Sequence, residues 1–132
     1  MSLLRTVLRW QAVLWAATGV ALVLAPGWIV ERLLDQPPLG EDAWLRLAGV
    51  LAIALAAQMV LVQRRVEDLW WWSWSFVVLE VGTALVLLLN AAVGLPDGAA
   101  AWPWWAVGVL NAAVAGLEIG ALARAGTERS PL

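Results

Sequence analysis

Four long apolar runs, each stopped by a helix breaker or a charge, constrain this chain more than any other feature of its sequence. The first runs from about residue 7 to 25 and stops at Pro26-Gly27. The second covers 43–63 and stops at Arg64-Arg65. The third, 70–94, ends before Pro96-Asp97-Gly98, and the fourth, 102–124, closes on Arg124. A hydrocarbon layer about 30 Å thick takes roughly 20 apolar residues in a helix, the form in which a lone segment pairs its own backbone groups. The pattern predicts an all-α polytopic membrane protein, a single four-transmembrane-helix bundle over residues 1–132. Composition agrees, because the chain is 63% hydrophobic and 14% charged, against roughly 45–50% apolar and about 25% charged in soluble domains. The Arg5 and Arg9 flank gives the first run some likeness to a signal peptide. Its length, and the Pro-Gly-Trp-Ile-Val that follows it, favour a retained span.

All eight cations are Arg, and their placement sets an expected orientation. Arg5 and Arg9 open the first span, Arg64 and Arg65 join the second to the third, and Arg124 and Arg129 close the fourth. Only Arg32 and Arg46 fall on the opposite side, among Glu31, Asp35, Glu41, Asp42 and Asp97. The positive-inside rule then puts both termini in the cytoplasm, with the bacterial inner membrane as the expected location. Tryptophans sit at the span ends, where amphipathic indoles settle at headgroup depth. Trp70, Trp71, Trp72 and Trp74 mark one interface; Trp28, Trp44, Trp102, Trp104 and Trp105 mark the other. Arg46 joins that second belt, snorkelling to headgroups or pairing with Asp42. Trp15 lies deeper than a belt residue should. The loop "GWIVERLLD" is expected to form a short amphipathic helix on the surface, with Trp28, Ile29, Leu33 and Leu34 dipping into lipid.

The chain has no Cys, His, Tyr or Lys. Disulfides, thiolate or histidine metal sites and a Ser-His-Asp triad are therefore impossible, and no metal or other cofactor is expected. Without a basic run, nucleic acid is not an expected partner. Any proton chemistry falls to carboxylates, and an autonomous enzyme is not the expected role.

Two carboxylates lie inside the spans. About a turn near residue 100, Glu80 and Glu118 are nearly equidistant, as are Asn90 and Asn111. In an antiparallel hairpin the two carboxylates therefore share one depth and the two amides another. Asn111 and Glu118 are seven residues apart, two helical turns, and fall on one face. Ala112, Gly116 and Gly120 form a neighbouring ridge of small residues that could admit a helix closely. Ionisable residues within a membrane mark functional candidates, so Glu80, Glu118, Asn90 and Asn111 are the candidate proton or substrate residues. The alternative is neutralisation, in which Arg9, with Gln58 and Gln11 at the same depth, pairs with a carboxylate and fastens helices together. Asn90 and Asn111 would then hydrogen-bond to each other across the helices.

The pattern "LAPGWIVERLL" followed by "AWLRLAGVLAIALAAQ" resembles small four-helix bacterial membrane proteins of the DoxX-like kind. That resemblance implies the four-span fold and a possible association with quinone-linked oxidoreductases. "LEVGT" at 79–83 is similar to the Ala-Glu-Val-x-x-Thr segment of small multidrug-resistance transporters, without the intervening residue and in the third rather than the first helix. The favoured expectation is a small bundle protein in the lipid bilayer, acting as an accessory or interaction subunit of a larger complex or as a homo-oligomer. Its main rival is a homodimeric, proton-coupled small-molecule transporter working through Glu80 and Glu118. A quinone-associated redox subunit is a third.

Overall fold

The computed structural model describes residues 1–128, so the expectation for Arg129 lies outside the described residues. Four long helices carry the chain: α1 (Ser2–Leu24), α2 (Ala43–Arg64), α3 (Ser73–Val93) and α4 (Trp102–Glu128). Each belongs to a segment long and apolar enough to cross a membrane, the third of these beginning at Val66. No strand occurs among the described residues. Large apolar side chains point outward in number, Val78 at 71% exposure and Val93 at 85% among them. Such surfaces suit a non-aqueous surrounding better than water.

Each helix stops for a local reason. The Ala25 N–H closes on the Ala21 carbonyl, and Pro26 cannot extend the ladder. A widened turn over Trp28–Leu33 follows, in which the Leu34 N–H reaches the Ile29 carbonyl. The expected surface segment is thus helical, with Trp28 and Leu33 exposed, while Val30 turns inward. At the far end of α3, Gly94 takes a φ of 149° that an L side chain rarely adopts, and the chain turns there. The Trp70–Trp72 stretch is a tight helical turn leading into α3, with Trp71 and Trp72 stacked at 5.1 Å between ring centroids.

The helices pack as two hairpins, α1 with α2 and α3 with α4, joined mainly along an α1–α4 seam. At the end that holds the termini the hairpins share a full core. Leu4 and Leu8 of α1, Met59 and Val62 of α2, Phe76 and Val77 of α3, and Leu122 and Ala125 of α4 meet there. Exposed ion pairs fringe this end, from the Met1 ammonium to Glu128 at 2.7 Å and from Arg5 to Glu67 at 3.7 Å, each adding little.

Toward the loop end the core thins to small residues within each hairpin. Gly19 and Gly49 set α1 directly against α2. A Cβ on Gly19 would stand 2.6 Å from the Gly49 carbonyl oxygen, and one on Gly49 would stand 2.7 Å from the Gly19 oxygen. Gly108 does the same for α4, where a Cβ would meet Leu88 Cδ2 of α3 at 2.7 Å. The ridge expected to perform this role does not do so within the chain. Gly116 and Gly120 face open space, and Ala112 is exposed.

A second join fixes the loop end. Asp35, the one non-glycine residue with positive φ among the described residues (50°), turns the connecting loop toward the α3–α4 turn. The Ala100 N–H donates to the Asp35 carbonyl. Gln36 Nε2 donates to Ala100 O at 2.9 Å, and its Oε1 accepts from Trp104 Nε1 at 3.0 Å. Arg46 donates to the Val23 carbonyl near the end of α1 and pairs with Asp42 at 3.4 Å, as one of its two expected roles required.

The glycine contacts yield a test. Gly19→Ala places a methyl against backbone that cannot retreat and is expected to cost about 1–3 kcal/mol. Gly116→Ala meets nothing and should be neutral or stabilising by up to about 1 kcal/mol through helix propensity. Equilibrium unfolding in mixed micelles compares the two. Equal effects would contradict the close α1–α2 crossing.

Candidate functional site

Glu80 lies on the buried face of α3 with Ser73, Phe76, Val77 and Ala84, and Glu118 on the buried face of α4 with Ala115, Ala121 and Leu122. Both carboxylates are enclosed, at 2% and 0% exposure. Gln11 of α1 joins them. Its single Nε2 donates to Glu80 Oε1 at 2.8 Å and to Glu118 Oε2 at 3.2 Å. Trp15, one turn further along α1, donates its Nε1–H to the same Glu80 oxygen at 2.7 Å. The hairpin geometry thus brings the two carboxylates together at one depth, and α1 supplies the donors.

Arg9 stands apart from this cluster. It is exposed, as is Gln58, and neither donates to Glu80 or Glu118 among the described residues. Gln11, on the inner face of α1, takes the place considered for Arg9 and Gln58. The asparagines do not meet either. Asn90 is exposed and donates to Val86 O at 2.7 Å, while Asn111 donates to Val107 O at 2.8 Å, each within its own helix. Asn111 nevertheless borders the site, lining a cleft of about 250 Å³ with Leu14, Trp15, Thr18, Glu80, Thr83, Val107 and Leu110.

The electrostatics follow from a donor count. Gln11 and Trp15 bring three N–H groups, and the two carboxylates and the Gln11 carbonyl bring five oxygens. Two of those oxygens, Gln11 Oε1 and Glu118 Oε1, are fully enclosed and accept from nothing. Two unit charges 4 Å apart repel by about 4 kcal/mol even at an effective permittivity of 20. One added proton removes that repulsion and turns an orphaned acceptor into a donor. A small cation would serve the same end. The arrangement is chemically suited to holding and releasing one positive charge.

The tryptophans expected at interfaces divide in two. Trp28, Trp44, Trp71, Trp72, Trp102 and Trp105 lie at or beyond helix ends and are about half exposed or more. Trp70 packs against the core at the terminal end, and Trp104 is the indole bonded to Gln36, so each has a partner inside the protein. Sequence reasoning passed over Gln11 and Trp15 as a pair. The available signal was their spacing, since residues i and i+4 on α1 share one face, and Trp15 was already too deep for a belt.

Gln11→Leu deprives both carboxylates of their common donor and is expected to lower unfolding stability by about 1.5–3 kcal/mol. Trp15→Phe should cost less, because Glu80 Oε1 keeps its bond from Gln11. In a double-mutant cycle Gln11→Leu and Glu80→Gln should be strongly non-additive; additivity in micelle unfolding would contradict the shared bridge.

No protein-family model, curated protein or solved structure matches the chain.

Proposed function

We propose that the chain is a four-span membrane protein with both termini cytoplasmic, in which Glu80 and Glu118 share one exchangeable proton that is traded for a small molecule, as in a proton-coupled carrier. The observation that carries this reading is the pair of enclosed carboxylates on a single Gln11 amide, with no cation bonded to them among the described residues. Had Arg9 faced either carboxylate, charge neutralisation alone would account for the site. Arg5, Arg9, Arg64, Arg65 and Arg124 at the terminal end support the orientation. The cost of an ionisable residue within a membrane, about 2.5–3.5 kcal/mol on insertion scales, supports a functional role for the pair.

A second reading rests on a separate observation. The Ala112, Gly116, Gly120 face of α4 is uncovered, and small residues at such spacing let helices approach closely in lipid. That face suits a homo-oligomer or an accessory position within a larger membrane complex. A homodimeric carrier accommodates both readings.

Two measurements test the main proposal. In proteoliposomes with an acidic interior and a trapped pH dye, wild type should dissipate the gradient when one class among small ammonium, carboxylate or neutral solutes is added. Glu80→Gln and Glu118→Gln should each abolish this response, and a wild type no faster than both variants would overturn the carrier reading. Separately, single-cysteine probes at Ser2 and Asp97 should label from opposite faces of the vesicle. Labelling from one face would rule out the proposed topology.

A further inference from the structure

We propose that the cleft beside Glu80 binds a small amphipathic ammonium ion, a protonated primary or secondary amine on a compact apolar group, held through N–H donors to Glu80 Oε2 and Asn111 Oδ1. The inference rests on the proton-exchange reading, because the ammonium takes the place of the shared proton.

The polar atoms that the cleft leaves free are the reason. Glu80 Oε1 is committed to Gln11 and Trp15. Its Oε2 has no donor among the described residues and is not one of the enclosed polar atoms, so it is the oxygen presented to the cleft. Asn111 spends an amide N–H on Val107 O, which leaves Oδ1 free to accept. The Trp15 N–H is already used, so the second N–H of Asn111 is the fixed donor that remains on the wall. Thr18 and Thr83 add hydroxyls that can rotate to suit a ligand. The fixed free groups are thus two acceptors, one of them a carboxylate, against the single remaining N–H of Asn111, and among the described residues no Arg lines the space. A ligand complementary to them brings donors and a positive charge. An anion is repelled, and a quaternary ammonium brings charge without N–H groups.

The remaining walls define the rest of the ligand. Leu14, Val107 and Leu110 are apolar, and Trp15 adds an aromatic side chain to the lining. The volume, about 250 Å³, is below the range usual for drug-sized ligands, so the apolar group must be compact. Leu14, Val107 and Leu110 are themselves 41%, 38% and 49% exposed, which makes the cleft's rim part of the outer apolar surface. An amphipathic amine already partitioned into lipid reaches Glu80 from the side. As it enters, one proton leaves the Glu80–Glu118 pair for water, so the charge of the site is unchanged and no covalent bond to carbon forms or breaks.

The test is calorimetric titration of the purified chain in detergent micelles, corrected for empty micelles, with 2-phenylethylamine, its N,N,N-trimethyl derivative and 2-phenylethanol. Running each in two buffers of different ionisation enthalpy counts the protons released. The amine should bind at least about tenfold more tightly than either comparator, the difference expected for a hydrogen bond to a charged group, and should release one proton. Asn111→Leu should weaken the amine about tenfold and leave the trimethyl compound unchanged. Glu80→Gln should remove the preference for a cation; if that variant does not fold, Asn111→Leu, outside the Gln11 bridge, carries the test. Equal affinity for amine and alcohol overturns the ligand assignment, as does full amine binding by Asn111→Leu. Amine binding without proton release supports the assignment and overturns the exchange reading. A pH-dependent carboxylic-acid infrared band that both Glu→Gln variants lose, without amine binding, supports exchange and overturns the assignment.

Discussion

Two apolar hairpins in lipid gain nothing from burying hydrocarbon against each other that lipid tails would not supply, so packing and hydrogen bonds must hold them together. Here two glutamines provide that join. Gln11 reaches from α1 to a carboxylate on each helix of the other hairpin. Gln36 reaches from the connecting loop to the Ala100 carbonyl and accepts from Trp104. One join lies midway along the helices and the other at the loop end. The cleft lies between them.

The distribution of side-chain size follows from this arrangement. At the terminal end Leu4, Leu8, Met59, Phe76 and Leu122 fill the space among all four helices. Past Gln11 many of the buried helix positions are small, Gly19, Gly49, Ala52, Ala84, Gly108 and Ala115 among them, and the Gly19–Gly49 contact tightens the first hairpin. The carboxylate pair sits at the boundary, sealed by packed apolar groups on one side and bordered by the cleft on the other. Under the proposed topology the seal faces the cytoplasm and the cleft faces the outer leaflet. Exchange with the cytoplasm would then require the terminal-end core to open.

Much of this could be read from the sequence. Pro26, Arg64-Arg65 and Pro96-Asp97-Gly98 end the apolar runs, and the helices stop within a few residues of them. Equidistance from the α3–α4 turn anticipated that Glu80 and Glu118 would share a depth, because a hairpin fixes depth by counting. What counting does not fix is the rotation of each helix about its own axis. That rotation decided that Gln11, and not Arg9, would face the carboxylates, and that Gly19 and Gly49 would form the close crossing while Gly116 and Gly120 faced outward. The asparagines misled for a related reason. An amide in a helix can always donate to the carbonyl four residues back, and both Asn90 and Asn111 do so.

Helix fastening and proton binding are compatible roles for Glu80. The Gln11 and Trp15 bonds that hold α1 to the second hairpin are also the donors that keep the carboxylates aligned. A change of charge at the pair must therefore change the strength of the join. With one proton present, the carboxylates accept from Gln11 without mutual repulsion. Without it, the repulsion acts directly across the seam between α3 and α4 and against α1. An ammonium ion on Glu80 Oε2 would restore the balance from the cleft side. Under the proposed carrier function, loading the site and strengthening the Gln11 join would be one event, the coupling that a carrier needs between what it binds and how it is closed.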